Sequence, residues 1–408
     1  MTMVNRGKKR NLINPLNRKP RVWIPLLVLL WSLLICARTR ISMLRFPADP
    51  GYDLVRQALT MPGIQIFSTH DWPYFYVIPR MVIEIVALFP LPFHGVVLAL
   101  FINFVWVLCA IVVCGSITSN VNQKFYGAVA GTLVILNPMA MESSLGSYGN
   151  VKWPLTIAIT CWFTSPRLIN KYFRLLVLLT FLIGMSTPML VFCISPILLL
   201  AKTNQISKCR TMLILLTVAI TTFCQLKIAG GIENAAKGWG DRRVFKLNGL
   251  GIFWLFGQLG PVLISLFLIA VLAALGKKQR NDLVKIYGLI VTTLCLSASS
   301  FYLGGVADRY FVAPFGLATI ALIQLYAVLN PKISTNIAKL KAIVLIFFLF
   351  TPSVKWFNAG WYLTTGPTWQ SEAQRAQIEC EQLDLVSTIL EISAKGTTEL
   401  ECEVLNPK

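Results

Sequence analysis

Residues 95–115 read GVVLALFINFVWVLCAIVVCG, a stretch with no charged residue and a single asparagine. As a helix it would rise about 30 Å, the thickness of a bilayer's hydrocarbon core, so it is read as a membrane-crossing segment. Working outward, similar apolar runs recur at 22–37, 126–141, 151–165, 174–186, 188–201, 210–228, 251–275, 286–303, 311–329 and 341–357, giving about eleven candidates. The composition agrees: of 408 residues 56% are hydrophobic and only 13% charged, with mean hydropathy +0.67. A soluble fold of this length does not need so much apolar surface to fill its core. The runs 174–186 and 188–201 are split by Ser186-Thr187-Pro188, which predicts a re-entrant hairpin or two short helices, Pro188 breaking the hydrogen-bond ladder.

The links between runs sort by charge. Residues 1–21 carry Arg6, Lys8, Lys9, Arg10, Arg18, Lys19 and Arg21, and the short links at 166–174, 202–210, 276–285 and 332–341 are also basic. These alternate as cytoplasmic loops, and Asp282 is the one acid among them. The positive-inside rule then predicts a cytoplasmic N-terminus and an extracytoplasmic tail in a bacterial plasma (inner) membrane. The net charge of +20 is therefore topological charge facing anionic lipid, and nucleic-acid binding is not inferred from it. The first run lacks the small residues expected before a cleavage site at Ile35-Cys36-Ala37, so it is read as a retained helix. Three parts follow: a basic cytoplasmic segment 1–21, a transmembrane unit 22–357 with a first outer loop 38–94, and a tail 358–408.

Eight of the ten cysteines lie in or beside apolar runs, where they act as small hydrophobes. Cys380 and Cys402 fall in the outer tail, and in an oxidising compartment they form the plausible disulfide, with short strands expected near 385–392 and 399–405.

The outer segments hold the chemistry. In the first outer loop Asp49-Pro50 reads as a helix N-cap followed by proline at the first helical position, starting a short amphipathic helix that stops at Pro62-Gly63. Asp49 and Asp53, four residues apart, can share a face near the bilayer surface, where a base for lipid-linked chemistry is needed. His70 and Asp71 precede an aromatic group at Trp72, Tyr74, Phe75 and Tyr76. A second helix is expected from about Pro79, its apolar side formed by Met81, Val82, Ile85, Val86 and Phe89, with Arg80 at its mouth suited to forked binding of a phosphate. Glu142, Lys152 and Arg309 sit at outer helix ends, in the stretches Asn137–Glu142, Asn150-Val151-Lys152-Trp153 and Arg309-Tyr310-Phe311. No His/Cys cluster has metal-site spacing, and dependence on a divalent metal stays open.

In these residues and this layout the chain resembles the GT-C class of polyprenyl-phosphate-dependent membrane glycosyltransferases. More closely, Tyr76–Arg80, Asn137-Pro138 with Glu142, Asn150–Trp153 and Arg309–Phe311 with Pro314 resemble a bacterial group of GT-C-like membrane proteins. The resemblance implies an all-α polytopic fold of about eleven transmembrane helices, with short amphipathic helices in the outer loop and a small outer tail. It implies transfer of a sugar from a polyprenyl-phosphate donor to a glycan, lipid or protein acceptor of the cell envelope, with inversion at the sugar. The family's catalytic acid sits in the first outer loop, which matches Asp53 best and Asp49 second, with Asp71 as the third candidate. Arg80 and Arg309 would hold the leaving phosphate, with His70, Tyr76, Glu142, Asn150, Lys152, Trp153 and Tyr310 lining the donor site. The loop lacks the tandem acidic pair common in the class. A glycan polymerase, a lipid-glycan transporter or flippase and a non-catalytic envelope scaffold are the alternative readings; the spans carry almost no ionisable residues near their midplanes, where a coupled transporter needs them.

Overall fold

The computed structural model describes residues 23–44, 75–121, 124–140, 148–228, 252–275, 280–301, 308–329, 366–383, 385–393 and 396–405. Helices α1 (Trp23–Arg38), α2 (Arg40–Leu44), α3 (Val77–Ala87), α4 (His94–Val121), α5 (Lys124–Ile135), α6 (Lys152–Phe163), α7 (Pro166–Lys171) and α8 (Phe173–Gly184) come first. They are followed by α9 (Ser195–Lys202), α10 (Lys208–Ile228), α11 (Ile252–Leu275), α12 (Arg280–Ser299) and α13 (Val312–Leu329). Short 3-10 turns at Leu91–Phe93, Tyr148–Asn150, Pro188–Cys193 and Asp308–Phe311 lead into the helices after them. Among the described residues, three helical stretches, Leu91–Val121, Lys208–Ile228 and Val312–Leu329, are long and apolar enough to cross a membrane, and six further apolar helices are shorter.

Ten of the eleven apolar runs coincide with helices, and 341–357 lies outside the described residues. The run at 126–141 is helical only to Ile135, because Asn137 precedes Pro138 and a residue before proline is driven out of the helical region. The split run resolves as two short helices: α8 ends at Gly184, and Thr187 accepts the Met189 N–H to open the 3-10 turn that leads to α9.

Helix α13 is apolar all round and sits at the centre, packed against α4, α5, α6, α11 and α12. Outer helices instead present one apolar face outward. On α10, Met212, Leu216, Ile220 and Phe223 recur at helical spacing and are exposed, as are Leu26, Leu29 and Leu33 on α1 and Leu263, Leu266 and Phe267 on α11. Contiguous apolar surface of this extent is unsuited to water and matches lipid. The two ends of the bundle differ. At one, Lys124 lies over the Trp23 ring, Asn120 donates to Thr164 (2.8 Å), Ser165 donates to Ser119 (2.9 Å) and Arg210 donates to Asn170. Among the described residues, the basic links at 166–174 and 202–210 thus lie at the same end as the turn between α4 and α5.

Where α4 and α5 cross, backbone approaches backbone. A Cβ at Gly127 would lie 2.6 Å from the Cys114 carbonyl oxygen, and one at Gly131 2.9 Å from that of Ala110. Small residues four apart allow this contact between apolar helices, where packing rather than water release drives association. Gly115 on α4 has open space instead. Gly127→Ala is therefore expected to lower the thermal midpoint of the protein in lipid, at a cost of about 1–3 kcal/mol. Gly115→Ala is expected to leave it unchanged or raise it slightly, and a matched pair of melting curves checks both.

The tail departs from an all-α fold. Helix α14 (Trp369–Gln382) packs on an antiparallel hairpin of β1 (Ser387–Ser393) and β2 (Gly396–Glu401), and α15 (Cys402–Leu405) closes it. Thr388, Leu390 and Leu400 are buried while Ile389 between them is exposed, the period of two that a half-buried strand requires. The second strand begins three residues before its expected start and stops at Glu401, because the chain turns there to bring Cys402 into a disulfide with Cys380, their Cα atoms 5.5 Å apart. The Trp369 indole N–H donates to the Leu91 carbonyl (2.8 Å), docking the tail on the start of α4.

Inside the tail the Glu372 carboxylate accepts from Arg375 Nε (3.2 Å) and from the Glu391 N–H (2.8 Å). Burial alone would push this carboxyl up, but the Arg375 and Glu391 bonds outweigh it and hold it below its usual value. A carboxylate lowered on folding stabilises the fold fully above its unfolded value, and that contribution disappears as pH falls through the folded one. Amides of β1 and β2, pulse-labelled after incubation at falling pH, are expected to lose protection below the ordinary carboxylate range. Glu372→Gln is expected to lower protection at neutral pH and flatten this dependence.

Candidate functional site

At the end of the bundle away from the basic links, three separate chain segments converge. The first is the entry to α3. Phe75 N–H donates to Gln225 Oε1 (3.1 Å) on α10, and Ile78 N–H to Ser186 Oγ (2.9 Å) after α8. Gln225 also donates to the Gly184 carbonyl (3.2 Å), so one side chain satisfies the start of one helix and the end of another. Tyr76, which caps α3, has φ 49° and ψ 45°. This left-handed conformation is uncommon for a residue with a Cβ and costs about 1–2 kcal/mol.

The second segment is the turn Tyr148–Asn150 and the start of α6. Trp153 is buried and donates its indole N–H to Asn150 Oδ1 (3.2 Å), also buried. The half-buried Lys152 ammonium lies 5.6 Å from the centre of the Tyr76 ring and 5.2 Å from that of Trp153. The third is the turn Asp308–Phe311, where Tyr310 stands edge-on to Trp153 with ring centres 5.8 Å apart at 90°. Ser300 donates to the Tyr310 carbonyl (2.9 Å), and Asn137 donates to the Val312 carbonyl (2.7 Å), fixing this turn against α12 and the end of α5.

Arg80 lies one turn beyond Tyr76. Expected at the mouth of the helix, it is only 1% exposed and points into the bundle, its guanidinium 5.8 Å from the Phe75 ring centre. The helix begins at Val77, two residues earlier than expected, and its apolar side splits in two. Val82, Ile83 and Val86 face the bundle with Arg80, while Met81, Ile85 and Phe89 face outward. Both faces are apolar, so hydrophobicity alone could not choose the inner one.

Of the residues singled out in the sequence, Tyr76, Arg80, Asn150, Lys152, Trp153 and Tyr310 thus meet at one end, with Arg309 preceding Tyr310 in its turn. Asp49, Asp53, His70, Asp71 and Glu142 lie outside the described residues. Among the described residues no three of His, Cys, Asp and Glu cluster as metal ligands. Sequence reasoning missed Gln225 and Ser186, which only their partners reveal. It also assigned Arg38 to the outer loop. Arg38 instead ends α1, is buried, and donates to the carbonyls of Ile135, Asn137 (3.3 Å) and Ala140 (2.6 Å), covering the C-terminal end of α5.

Two cations beside three aromatic rings can hold an anionic group and stack on the face of a sugar. Fold and site together define a mostly helical protein, with helices suited to membrane crossing and a cationic, aromatic cluster at one bundle end. No protein-family model matches the chain, and no curated protein matches it.

Proposed function

We propose that this is a polytopic membrane glycosyltransferase of GT-C type, with its N-terminus in the cytoplasm, moving a sugar from polyprenyl phosphate to an acceptor outside. The observation that supports this most is Lys152, held between the Tyr76 and Trp153 rings with Arg80 one helical turn from Tyr76. In the proposed reaction the acceptor hydroxyl oxygen attacks the anomeric carbon from the face opposite the phosphate. The bond from that carbon to the phosphate oxygen breaks, its electron pair leaves with polyprenyl phosphate, and the hydroxyl proton passes to Asp53. Arg80 and Lys152 stabilise the charge that grows on the departing phosphate, in a site where low dielectric strengthens each contact. Arg309 adds a third cation in this reading, and Trp153 and Tyr310 orient the sugar.

The test is transfer from polyprenyl-phosphate sugars to envelope acceptors by the full chain in proteoliposomes. Arg80→Lys and Lys152→Gln are each expected to lower turnover by about 10²–10³-fold without loss of folded protein, the effect of removing one transition-state donor. Arg80→Lys keeps the charge and loses the fork. Unaltered transfer in both variants would remove the phosphate role from this cluster.

A further inference from the structure

At the basic end of the bundle a groove of about 500 Å³ opens between α1, α4, α5 and α7. Its wall is apolar, with Ile24, Leu27 and Ile111 along it, and its mouth carries Lys124, Arg167 and Lys171. Among the described residues no acidic one lines it, and none of these three cations makes an ion pair. Rings hold two of them: Lys124 Nζ lies 5.7 Å from the Trp23 ring centre and Lys171 Nζ 4.9 Å from that of Tyr172. The Trp23 indole N–H, buried beside the groove, has no acceptor among the described residues.

We propose that this groove binds one anionic phospholipid, its phosphate on Lys124, Arg167 and Lys171 and the first part of an acyl chain along the apolar wall. Basic pockets between helices at a membrane surface recognise such headgroups, each cation near the surface adding to the attraction for anionic lipid. A soluble anion would use the mouth and leave the apolar wall in water. A neutral lipid would use the wall and leave three cations without a counter-charge. An anionic phospholipid satisfies both. The site is separate from the Arg80–Lys152 cluster: Lys124 begins α5, a helix about 18 Å long by its rise, and Asn137 lies beyond the other end.

Gly115 lines the groove, and a Cβ added there meets nothing within 4 Å. Gly115→Leu therefore fills the groove while leaving its cations and the packing of α4 intact. The experiment counts phosphatidylglycerol and phosphatidylcholine retained by the full-length chain, by native mass spectrometry after equilibration in mixed micelles. The wild type is expected to retain one phosphatidylglycerol with at least a tenfold preference. A triple change of Lys124, Arg167 and Lys171 to Gln is expected to abolish the preference, and Gly115→Leu to abolish retention at an unchanged thermal midpoint. Changing Lys202, Lys208 and Arg210 to Gln removes equal charge from the same end and is expected to leave retention intact. Equal loss in that control, or full retention in Gly115→Leu, would overturn the proposal. Displacement of the lipid by millimolar inorganic phosphate would also overturn it, assigning the cations to a free anion.

Discussion

Asp53→Asn is expected to lower sugar transfer by about 10²–10⁴-fold, the contribution of a positioned general base, while leaving the amount of folded protein unchanged. Asparagine keeps the shape of the side chain and cannot take up the acceptor's proton, so the loss should fall on kcat rather than on KM. Asp49→Asn is the internal control. Asparagine caps a helix about as well as aspartate, so a purely structural Asp49 tolerates it. Asp71→Asn completes the set of carboxylates in 45–74. Steady-state transfer with a polyprenyl-phosphate sugar, run on all three variants, decides between them. Full activity in Asp53→Asn with a loss in either of the others would move the base to that residue. Three active variants would leave a non-catalytic envelope role ahead of the transferase reading.

Arg38→Met is expected to produce the largest loss of stability, about 3 kcal/mol or more. The guanidinium donates to three carbonyls at and beyond the end of α5, and each hydrogen bond to a charged donor is worth about 1.5–3 kcal/mol before the desolvation of the cation is set against it. Methionine matches the apolar stem and supplies no donor, leaving backbone oxygens unpaired where water is scarce. Arg38→Lys should recover part of the loss, since one ammonium reaches fewer of the three carbonyls. Thermal unfolding in lipid, followed with the wild type under one scan rate, reads the difference. A midpoint within a degree of the wild type in Arg38→Met would mean that these carbonyls find other donors.

The helices were legible because apolar content is a local property. A run such as 95–115 needs no partner to be recognised, and α4 (His94–Val121) covers it entirely, beginning one residue earlier and running one to two turns beyond it. The cluster was legible only in part. Aromatic and cationic residues around Tyr76, Lys152 and Tyr310 stood out as types, but three segments widely separated in sequence give no local sign that they meet. Arg80 illustrates the limit: an arginine at a helix start reads equally well as a lipid-facing or an inward group. Its direction was fixed by anchoring Phe75 and Ile78 to Gln225 and Ser186.

By itself the sequence determined a largely helical chain with its basic links on alternate turns, because helix length and hydropathy are summed along the chain. It also set aside the two tail cysteines, which fall in the polar stretch after the last apolar run. Only the tertiary structure decided which charges turn inward. Arg38 and Lys152 take their places from carbonyls and ring faces that arrive from elsewhere in the chain. Every residue carries a carbonyl, so the sequence does not mark which ones a helix end will leave open. The packing of α1 against α4 and α5 brings Arg38 to the right ones.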